Sequence, residues 1–227
     1  ITGYFVANEE LSFRLQSSGV PEKNIVVTGI PVMPEFINRP DRTICAEKYG
    51  LNPRRKTLLI MGGGAGLGIT ADLVKSLLAL QDDLQLIVMT GKNQSLLNEL
   101  QNLSLFGSGR LVAIGFTNDV PELMACADLV ITKPGGLSTS ECLVMGLPMV
   151  LINPIPGQEE RNASYLLQES VAQRADDVAT LLYRLRLLLA NSEKLAHMQR
   201  NTELLSKPLA ATTLLQHIDN HLTTHNA

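Results

Sequence analysis

The chain has 227 residues, of which 45% are hydrophobic and 18% charged, an ordinary globular composition sufficient for one large domain or two small ones. Its net charge of −3 argues against a protein that binds nucleic acid mainly through electrostatics. Cys45, Cys126 and Cys142 are widely spaced and form no CxxC motif, which indicates reduced core residues rather than a zinc site or a disulfide.

The N-terminal part of the chain has the pattern of a strand, a helix and a second strand. We predict strands at Gly3–Asn8 and Asn24–Gly29 around a helix at Glu9–Ser18. One such unit has too few partners to form a core, and the opening at Ile1 has no signal-peptide pattern, so we expect it to be the end of a domain that begins earlier. Three prolines between residues 31 and 40 then predict a linker.

Strands and helices alternate through most of the remaining chain, which predicts an α/β fold with a doubly wound parallel sheet and right-handed crossovers. The predicted strands are 57–61, 84–90, 111–114, 128–132 and 149–152. The predicted helices outside the central stretch are 44–49, 70–80, 94–103, 121–126, 161–168, 177–189, 192–205 and 209–222. No strand is predicted among the last three helices, whose leucine spacing favours packing against the sheet.

A helix with a recognisable start follows the strand that ends at Thr132. We predict Ser138 as its N-cap, Glu141 as the capping-box partner and Gly146 as its end. Thr139 and Ser140 add hydroxyls to the same turn. A helix start after glycines presents unpaired N–H groups and the positive end of a dipole, so it can bind an anion. The alternative is that these residues only make a compact strand-to-helix connection.

Polar residues also follow the next predicted strand, in the loop Asn153–Glu160 (NPIPGQEE). Loops at the carboxyl ends of neighbouring parallel strands line one crevice. An anion-binding helix start and a hydrogen-bonding loop should therefore face the same ligand. This pairing suits a molecule with a phosphate end and a hydroxyl-rich end.

A second glycine turn, Gly62–Gly68, lies between a predicted strand and a helix, where backbone can approach a phosphate closely. It is not a P-loop, because no Gly-Lys-Ser/Thr follows. The next strand ends at Thr90-Gly91 without the acidic residue of a dinucleotide site, which argues against NAD and FAD. The remaining candidate is a nucleotide whose diphosphate meets both glycine turns.

These residues resemble a known family. TKPGGLSTSE and GLPMVLINPIPGQEERNA, which together begin at Thr132 and end at Ala163, are similar to the diacylglycerol glycosyltransferases that make monogalactosyl- and glucosyl-diacylglycerol. These enzymes are related to the peptidoglycan N-acetylglucosaminyltransferase that builds lipid II. The resemblance includes VTGIPVMPEF, the GKN at Gly91–Asn93 and GFTNDVPELMACADLVITKPGG, and it covers nearly the whole chain before the C-terminal helices.

The resemblance implies the two-domain GT-B fold, in which a Rossmann-like C-terminal domain binds the UDP-sugar donor and an N-terminal domain binds the acceptor lipid. Residues 1–38 would then be the end of the acceptor domain, and residues 39–208 the donor domain. Residues 209–227 would form a helix that packs back toward the acceptor domain.

The resemblance also assigns donor-binding roles. Uracil would meet the backbone of Phe116 and Thr117, and Glu141 would bind ribose unless it serves only the capping box. The pyrophosphate would lie on Gly135, Gly136, Leu137 and Ser138, and the sugar hydroxyls on Gln158 and Glu159, with Asn162 bracing the loop. Gly63 and Gly64 would contribute backbone only, and Lys133 either adds positive charge or is structural.

The activity implied by the resemblance is inverting transfer of a hexose from a UDP-sugar to a lipid, diacylglycerol, without a metal. The general base would lie in the acceptor domain, which would also bind the cytoplasmic face of the membrane. Two rival enzymes remain, a lipid-II-type N-acetylglucosaminyltransferase and a UDP-sugar epimerase, and so does a nucleotide-sugar-binding module without catalysis. No nucleic-acid partner is expected.

One segment departs from the family pattern. The family usually has a Gly-Ala pair before a short last strand, whereas this chain continues from Leu167 as QESVAQR, which is slightly shorter and lacks the glycine. We therefore expect the edge strand to be distorted or lost. None of the expected donor ligands lies in this segment.

Overall fold

The computed structural model describes residues 3–62, 68–103 and 106–225. Gly63 and Gly64, expected at the phosphates, lie outside these ranges. The strands are β1 (Tyr4–Val6), β2 (Ile25–Val27), β3 (Thr57–Met61), β4 (Gln85–Gly91), β5 (Leu111–Gly115), β6 (Leu129–Thr132), β7 (Met149–Ile152) and β8 (Ala172–Ala175). The α-helices are α1 (Glu9–Ser17), α2 (Pro34–Ile37), α3 (Arg42–Lys48), α4 (Ala71–Leu78), α5 (Gln94–Gln101), α6 (Val120–Cys126), α7 (Gly136–Met145), α8 (Gln158–Gln168), α9 (Val178–Ala190), α10 (Ser192–Leu205) and α11 (Ala210–His225).

The main sheet has six parallel strands in the order β5-β4-β3-β6-β7-β8. The winding reverses between β3 and β6, which is the position where open α/β sheets bind ligands at the carboxyl ends of their strands. Strand residues alternate between two cores. Leu58 and Ile60 pack on the face covered by α4, α5 and α9, and Leu59 packs on the face with α6, α7 and α8. The predicted doubly wound fold is confirmed.

β1 and β2 form a separate two-stranded parallel sheet, and α1 lies in the connection between them. Asn8 caps α1 through its side chain, which accepts from the Leu11 N–H at 3.0 Å. The linker expected after β2 is not fully irregular, because Pro34 begins the short helix α2, whose Phe36 is buried in the main core. In the described ranges, no helix combines the length and apolar character that crossing a bilayer requires.

The expectation that the edge strand is distorted or lost is wrong. β8 pairs with β7 in regular parallel register, from Met149 opposite Ala172 to Ile152 opposite Ala175. Ser170 takes the left-handed conformation (φ 57°) that a glycine would adopt most readily. The turn therefore forms without the glycine, at the cost of an uncommon conformation for serine.

Candidate functional site: a cavity at the strand carboxyl ends

The predicted helix after β6 forms, but its start is different. α7 begins at Gly136 with Gly135 as N-cap, and no side chain caps it. The N-cap prediction for Ser138 is therefore wrong: this residue lies in the first turn. Glu141 then lies too far along α7 for the predicted capping box, which requires the third residue of the helix.

This start leaves the anion-binding groups of α7 free. Among the described residues, the first backbone N–H of α7 with an acceptor is that of Thr139, which donates to the Gly135 carbonyl oxygen at 3.0 Å. The N–H groups of residues 136–138 have no acceptor in the described ranges. The Thr139 hydroxyl does not face a ligand, because it is buried and donates to the carbonyl oxygens of Gly135 and Gly136 at 2.9 and 3.2 Å. Free N–H groups at the positive end of a helix favour anions, so the start of α7 is a candidate anion site.

A cavity of about 510 Å³ opens beside this helix start. Its volume falls within the range of about 300–1,000 Å³ typical of ligand pockets. The cavity lies at the carboxyl ends of β3 to β7, across the reversal of the sheet. Six predicted site residues line it: Phe116, Thr117, Lys133, Gly135, Ser138 and Glu159.

The other predicted residues of this region adjoin the cavity rather than line it. The side chain of Leu137, in the first turn of α7, is 62% exposed. A β-carbon at Gly136 would lie 3.8 Å from Gln158 Nε2, which places that amide against the first turn of α7. Asn162 Nδ2 donates to the Pro134 carbonyl oxygen at 2.9 Å, which joins α8 to the loop before α7.

Glu141 has a half-buried carboxylate on α7. Burial raises the pKa of this carboxyl above its ordinary value. In the described ranges, no hydrogen bond or ion pair involves the Glu141 carboxylate. A carboxylate that is partly withdrawn from water without a partner can accept hydrogen bonds from the hydroxyls of a ligand.

Two lysines give the cavity positive charge. Lys133 follows β6 and Lys92 follows β4, and both line the cavity. Within the part of the chain that the structure describes, neither forms an ion pair. Lys92 was not among the predicted site residues, although its position two residues after a predicted strand, in GKN, was a usable signal.

Apolar groups line the β4-β5 side of the cavity. Met89 of β4 and Val120, the first residue of α6, line this side, and so does Phe116, which is 76% exposed. Gln158 and Glu159, expected in an irregular loop, instead form the first turn of α8 on the β7 side. The cavity is thus apolar and aromatic on one side, cationic in the middle and hydrogen-bonding on the other.

In the described ranges, no three His, Cys, Asp or Glu side chains come together as a metal-binding cluster. The three cysteines are buried and free, as predicted.

Residues 57–214 match the family model described as the glycosyltransferase family 28 C-terminal domain. The chain is 33% identical over 219 residues to a processive diacylglycerol beta-glucosyltransferase of Bacillus licheniformis, across 96% of this chain and 57% of that protein. The chain therefore spans little more than half the length of this curated relative.

Solved structures share the fold. MurG of Acinetobacter baumannii has a TM-score of 0.61 at 19% identity, over 91% of this chain and 62% of that one. The UDP-GlcNAc 2-epimerase of Neisseria meningitidis, bound to UDP-GlcNAc, has a TM-score of 0.73 at 16% identity, over 96% of this chain and 61% of that one. These similarities confirm the GT-B type of fold and the resemblance drawn from the KPGG and PGQE motifs. The chain belongs to the family of glycosyltransferase family 28 C-terminal domains.

Proposed function

We propose that this chain is the UDP-sugar-binding part of an enzyme that transfers a hexose to a lipid acceptor, diacylglycerol. The observation that carries the proposal is the cavity beside the start of α7. There, three N–H groups without an acceptor and two lysines without an ion pair in the described ranges lie between an aromatic side and a hydrogen-bonding side. The name of the Bacillus licheniformis relative supports the choice of glucose and diacylglycerol.

The order of groups along the cavity suggests how a UDP-sugar would lie. Uracil would occupy the β5 side, against the backbone of Phe116 and Thr117, and the ribose hydroxyls would meet Glu141. The diphosphate would lie on the start of α7 near Lys133. The hexose would reach α8, where Gln158 and Glu159 offer amide and carboxylate groups for its hydroxyls.

Transfer with inversion then needs little from this chain except charge stabilisation. The acceptor hydroxyl oxygen bonds to the anomeric carbon, the bond from that carbon to the phosphate oxygen breaks, and its electron pair leaves with UDP. The N–H groups of α7 stabilise this charge as it develops. The proton goes to a general base, which we assign to a segment outside this chain. We propose that no metal takes part.

The proposal extends to the parts of the protein outside this chain. Residues 1–38 would complete an acceptor domain, α11 would pack back on it, and that domain would bind the membrane surface on the cytoplasmic side.

A UDP-sugar epimerase is the rival with structural support, since one such enzyme has a TM-score of 0.73 to this chain. Epimerisation requires acid–base side chains at the sugar. Of the described residues that line the cavity, Glu159 is the acidic one, and no histidine is among them. This lining favours transfer.

Calorimetry with the 227-residue chain tests the donor assignment. We expect UDP to bind more tightly than uridine, ADP or GDP, and a UDP-hexose to bind more tightly than UDP. Gln158→Ala should weaken UDP-glucose far more than UDP. Equal losses for both ligands would show that the sugar lies elsewhere, and failure of the wild-type chain to bind UDP would refute the proposal.

Two further tests use the complete enzyme. If it converts free UDP-sugar without an acceptor, it is an epimerase. If it transfers the sugar in the presence of EDTA, it needs no metal.

A further inference from the structure

The loop between β7 and α8 has few backbone hydrogen bonds of its own. Pro154 and Pro156 have no N–H to donate. Asn153 takes a positive φ of 45°, and Gly157, the N-cap of α8, has φ 103° and no side-chain cap. A loop with two prolines and two left-handed residues must be held by side chains if its shape is to be fixed.

Two side chains of α8 hold this loop from the cavity side. A carboxylate oxygen of Glu159 accepts from the Ile155 N–H at 2.8 Å, which closes the loop on itself. Asn162 ties α8 to the Pro134 carbonyl oxygen, 2.9 Å away in the neighbouring loop. The first contact stays within the loop and the first turn of α8, and the second joins α8 to the loop before α7. Neither one fixes the opposite side of the helix.

Arg174 of the edge strand β8 holds the opposite side. Its two terminal nitrogens donate to both carboxylate oxygens of Glu160, at 2.8 and 3.3 Å, and its Nε donates to Asp176 at 2.6 Å. The side chains of Arg174 and Glu160 are 34% and 39% exposed. Isolated surface ion pairs contribute little, but a bidentate arginine–carboxylate pair in a small network fixes geometry as well as charge.

Glu160 is the third residue of the helical turn that begins with Gln158 and Glu159. Successive helical residues are rigidly related, so a fixed Glu160 side chain acts, together with the buried Ala163 and Leu166, on the rotation of the first turn about the helix axis. That rotation decides whether Gln158 lies beside Gly136 and whether Glu159 lines the cavity. The Arg174–Glu160 pair is therefore linked through one helical turn to Gln158 and Glu159.

We propose that Arg174 is a positioning residue for the sugar end of the donor, acting through Glu160 on Gln158 and Glu159. The inference rests on the proposed function, since it concerns the sugar-binding side of that site. It adds a residue that touches neither the cavity nor the expected ligand. It also gives β8, at the edge of the sheet, a part in donor recognition.

Two measurements on the 227-residue chain test this inference. The first is calorimetry with UDP and UDP-glucose on Arg174→Met, Glu160→Gln and their combination, with Arg186→Met as the exposed-arginine control. The second is amide hydrogen exchange at Ile155, which needs no ligand and reports whether the loop is closed.

We expect Arg174→Met to keep UDP affinity within about twofold and to lower UDP-glucose affinity roughly fivefold or more, which is the range for residues coupled in one network. Exchange at Ile155 should become faster. The combined variant should be no worse than either single variant, because the pair acts as a unit. Arg174→Lys should restore only part of the preference, since lysine cannot form the bidentate contact, and Arg186→Met should match the wild type.

A folded Arg174→Met chain with unchanged sugar preference would overturn the inference, whatever its thermal stability. Equal losses of affinity for UDP and UDP-glucose would overturn it too, because an ion pair that only stabilises the fold would affect the binding of both ligands. Failure of the wild-type chain to bind UDP would instead refute the proposed function. The Ile155 exchange rate would then still show whether Arg174 holds the loop.

Discussion

The side-chain amide of Asn162 lies 2.9 Å from the carbonyl oxygen of Pro134, so α8 is tied directly to the loop that precedes α7. These two elements carry the hydrogen-bonding side and the anion-binding side of the cavity. Their separation, and so the length of ligand they can hold, depends on this contact.

Removal of this amide should loosen both sides together. Asn162→Ala leaves the Pro134 carbonyl oxygen without its donor, and we expect a loss of about 1–2 kcal/mol in the free energy of unfolding. UDP-sugar binding should weaken as well. Asn201→Ala is the control, because its exposed amide reaches backbone carbonyls only at 3.4 and 3.5 Å. Urea unfolding and calorimetry measure both effects, and a stable Asn162→Ala chain would show that the contact contributes little.

Glu141→Gln should weaken UDP binding by about 1–3 kcal/mol if the carboxylate accepts hydrogen bonds from ribose. Glu47→Gln on the exposed face of α3 is the matched control. Calorimetry that finds equal UDP affinity in a folded Glu141→Gln chain would remove the ribose assignment.

The same substitution should change the pH dependence of stability. Because burial raises the pKa of Glu141, the folded chain holds that proton more tightly than the unfolded chain. Ionisation of this carboxyl therefore costs stability as the pH rises from the unfolded pKa through the raised folded one. Glu141→Gln should gain stability relative to the wild type as the pH rises above the ordinary glutamate pKa of about 4.3, until the raised pKa of the folded chain is passed. A constant difference across this range would contradict the prediction.

Gly135→Ala should lower UDP affinity with little effect on the stability of the fold. Gly135 has φ −69° and ψ 140°, which alanine adopts freely, and an added β-carbon would have no atom within 4 Å. Stability should change by no more than about 1 kcal/mol. If a diphosphate approaches this backbone closely, the methyl group should lower UDP affinity roughly tenfold. Gly3→Ala, away from the cavity, should leave affinity unchanged.

Lys92 and Lys133 should each contribute to diphosphate binding. We expect Lys92→Met and Lys133→Met each to weaken UDP by about 1–3 kcal/mol, with little effect on uridine. The difference should shrink at high salt, because ions screen exposed charges. Lys194→Met on α10 is the control. Equal losses for UDP and uridine would show that the lysines act on the fold rather than on phosphate.

Ser170→Gly should stabilise the chain. Serine at φ 57° is strained and glycine is not, while glycine loses more backbone entropy on folding, so we expect a net gain of about 0.5–1 kcal/mol. Ser170→Val should destabilise it, because a β-branched residue fits this conformation poorly. Denaturant unfolding of the two variants should give opposite signs.

Strand positions were predictable because each apolar run is short and bounded by turn residues. Met149–Ile152 has the same bounds in the prediction and in the structure, and β6 differs by one residue. The prediction that loops after β6 and β7 meet at one edge followed from parallel topology alone. The cavity contains residues from both loops.

The helix start at α7 was not predictable from the capping rules. Ser138 matches an N-cap pattern, but Gly135 can take the extended N-cap conformation and Thr139 returns its hydroxyl to the Gly135 carbonyl. The local pattern allowed two starts, and the earlier one adds a turn of helix. Arg174 and Glu160 are 14 residues apart, so no local pattern indicates their contact. The left-handed conformation of Ser170 was not predictable either. The family pattern has a glycine in this turn, which suggested that the turn requires glycine.

Arg39 fixes the segment that follows the small sheet to α7, which limits how the two sheets can move relative to each other. Its Nε and a terminal nitrogen donate to the Val144 carbonyl oxygen near the end of α7, at 2.9 and 2.6 Å, and Phe36 before it is buried. The chain from residue 34 onward is thus fixed to the larger sheet. A swing of the β1-β2 unit would bend the residues between Gly29 and Met33, and it would also carry α11, because the His217 ring lies 6.4 Å from that of Phe5 and Lys207 pairs with Glu9 at 3.1 Å. A hinge in this protein would therefore need two pivots, one before α2 and one between α10 and α11.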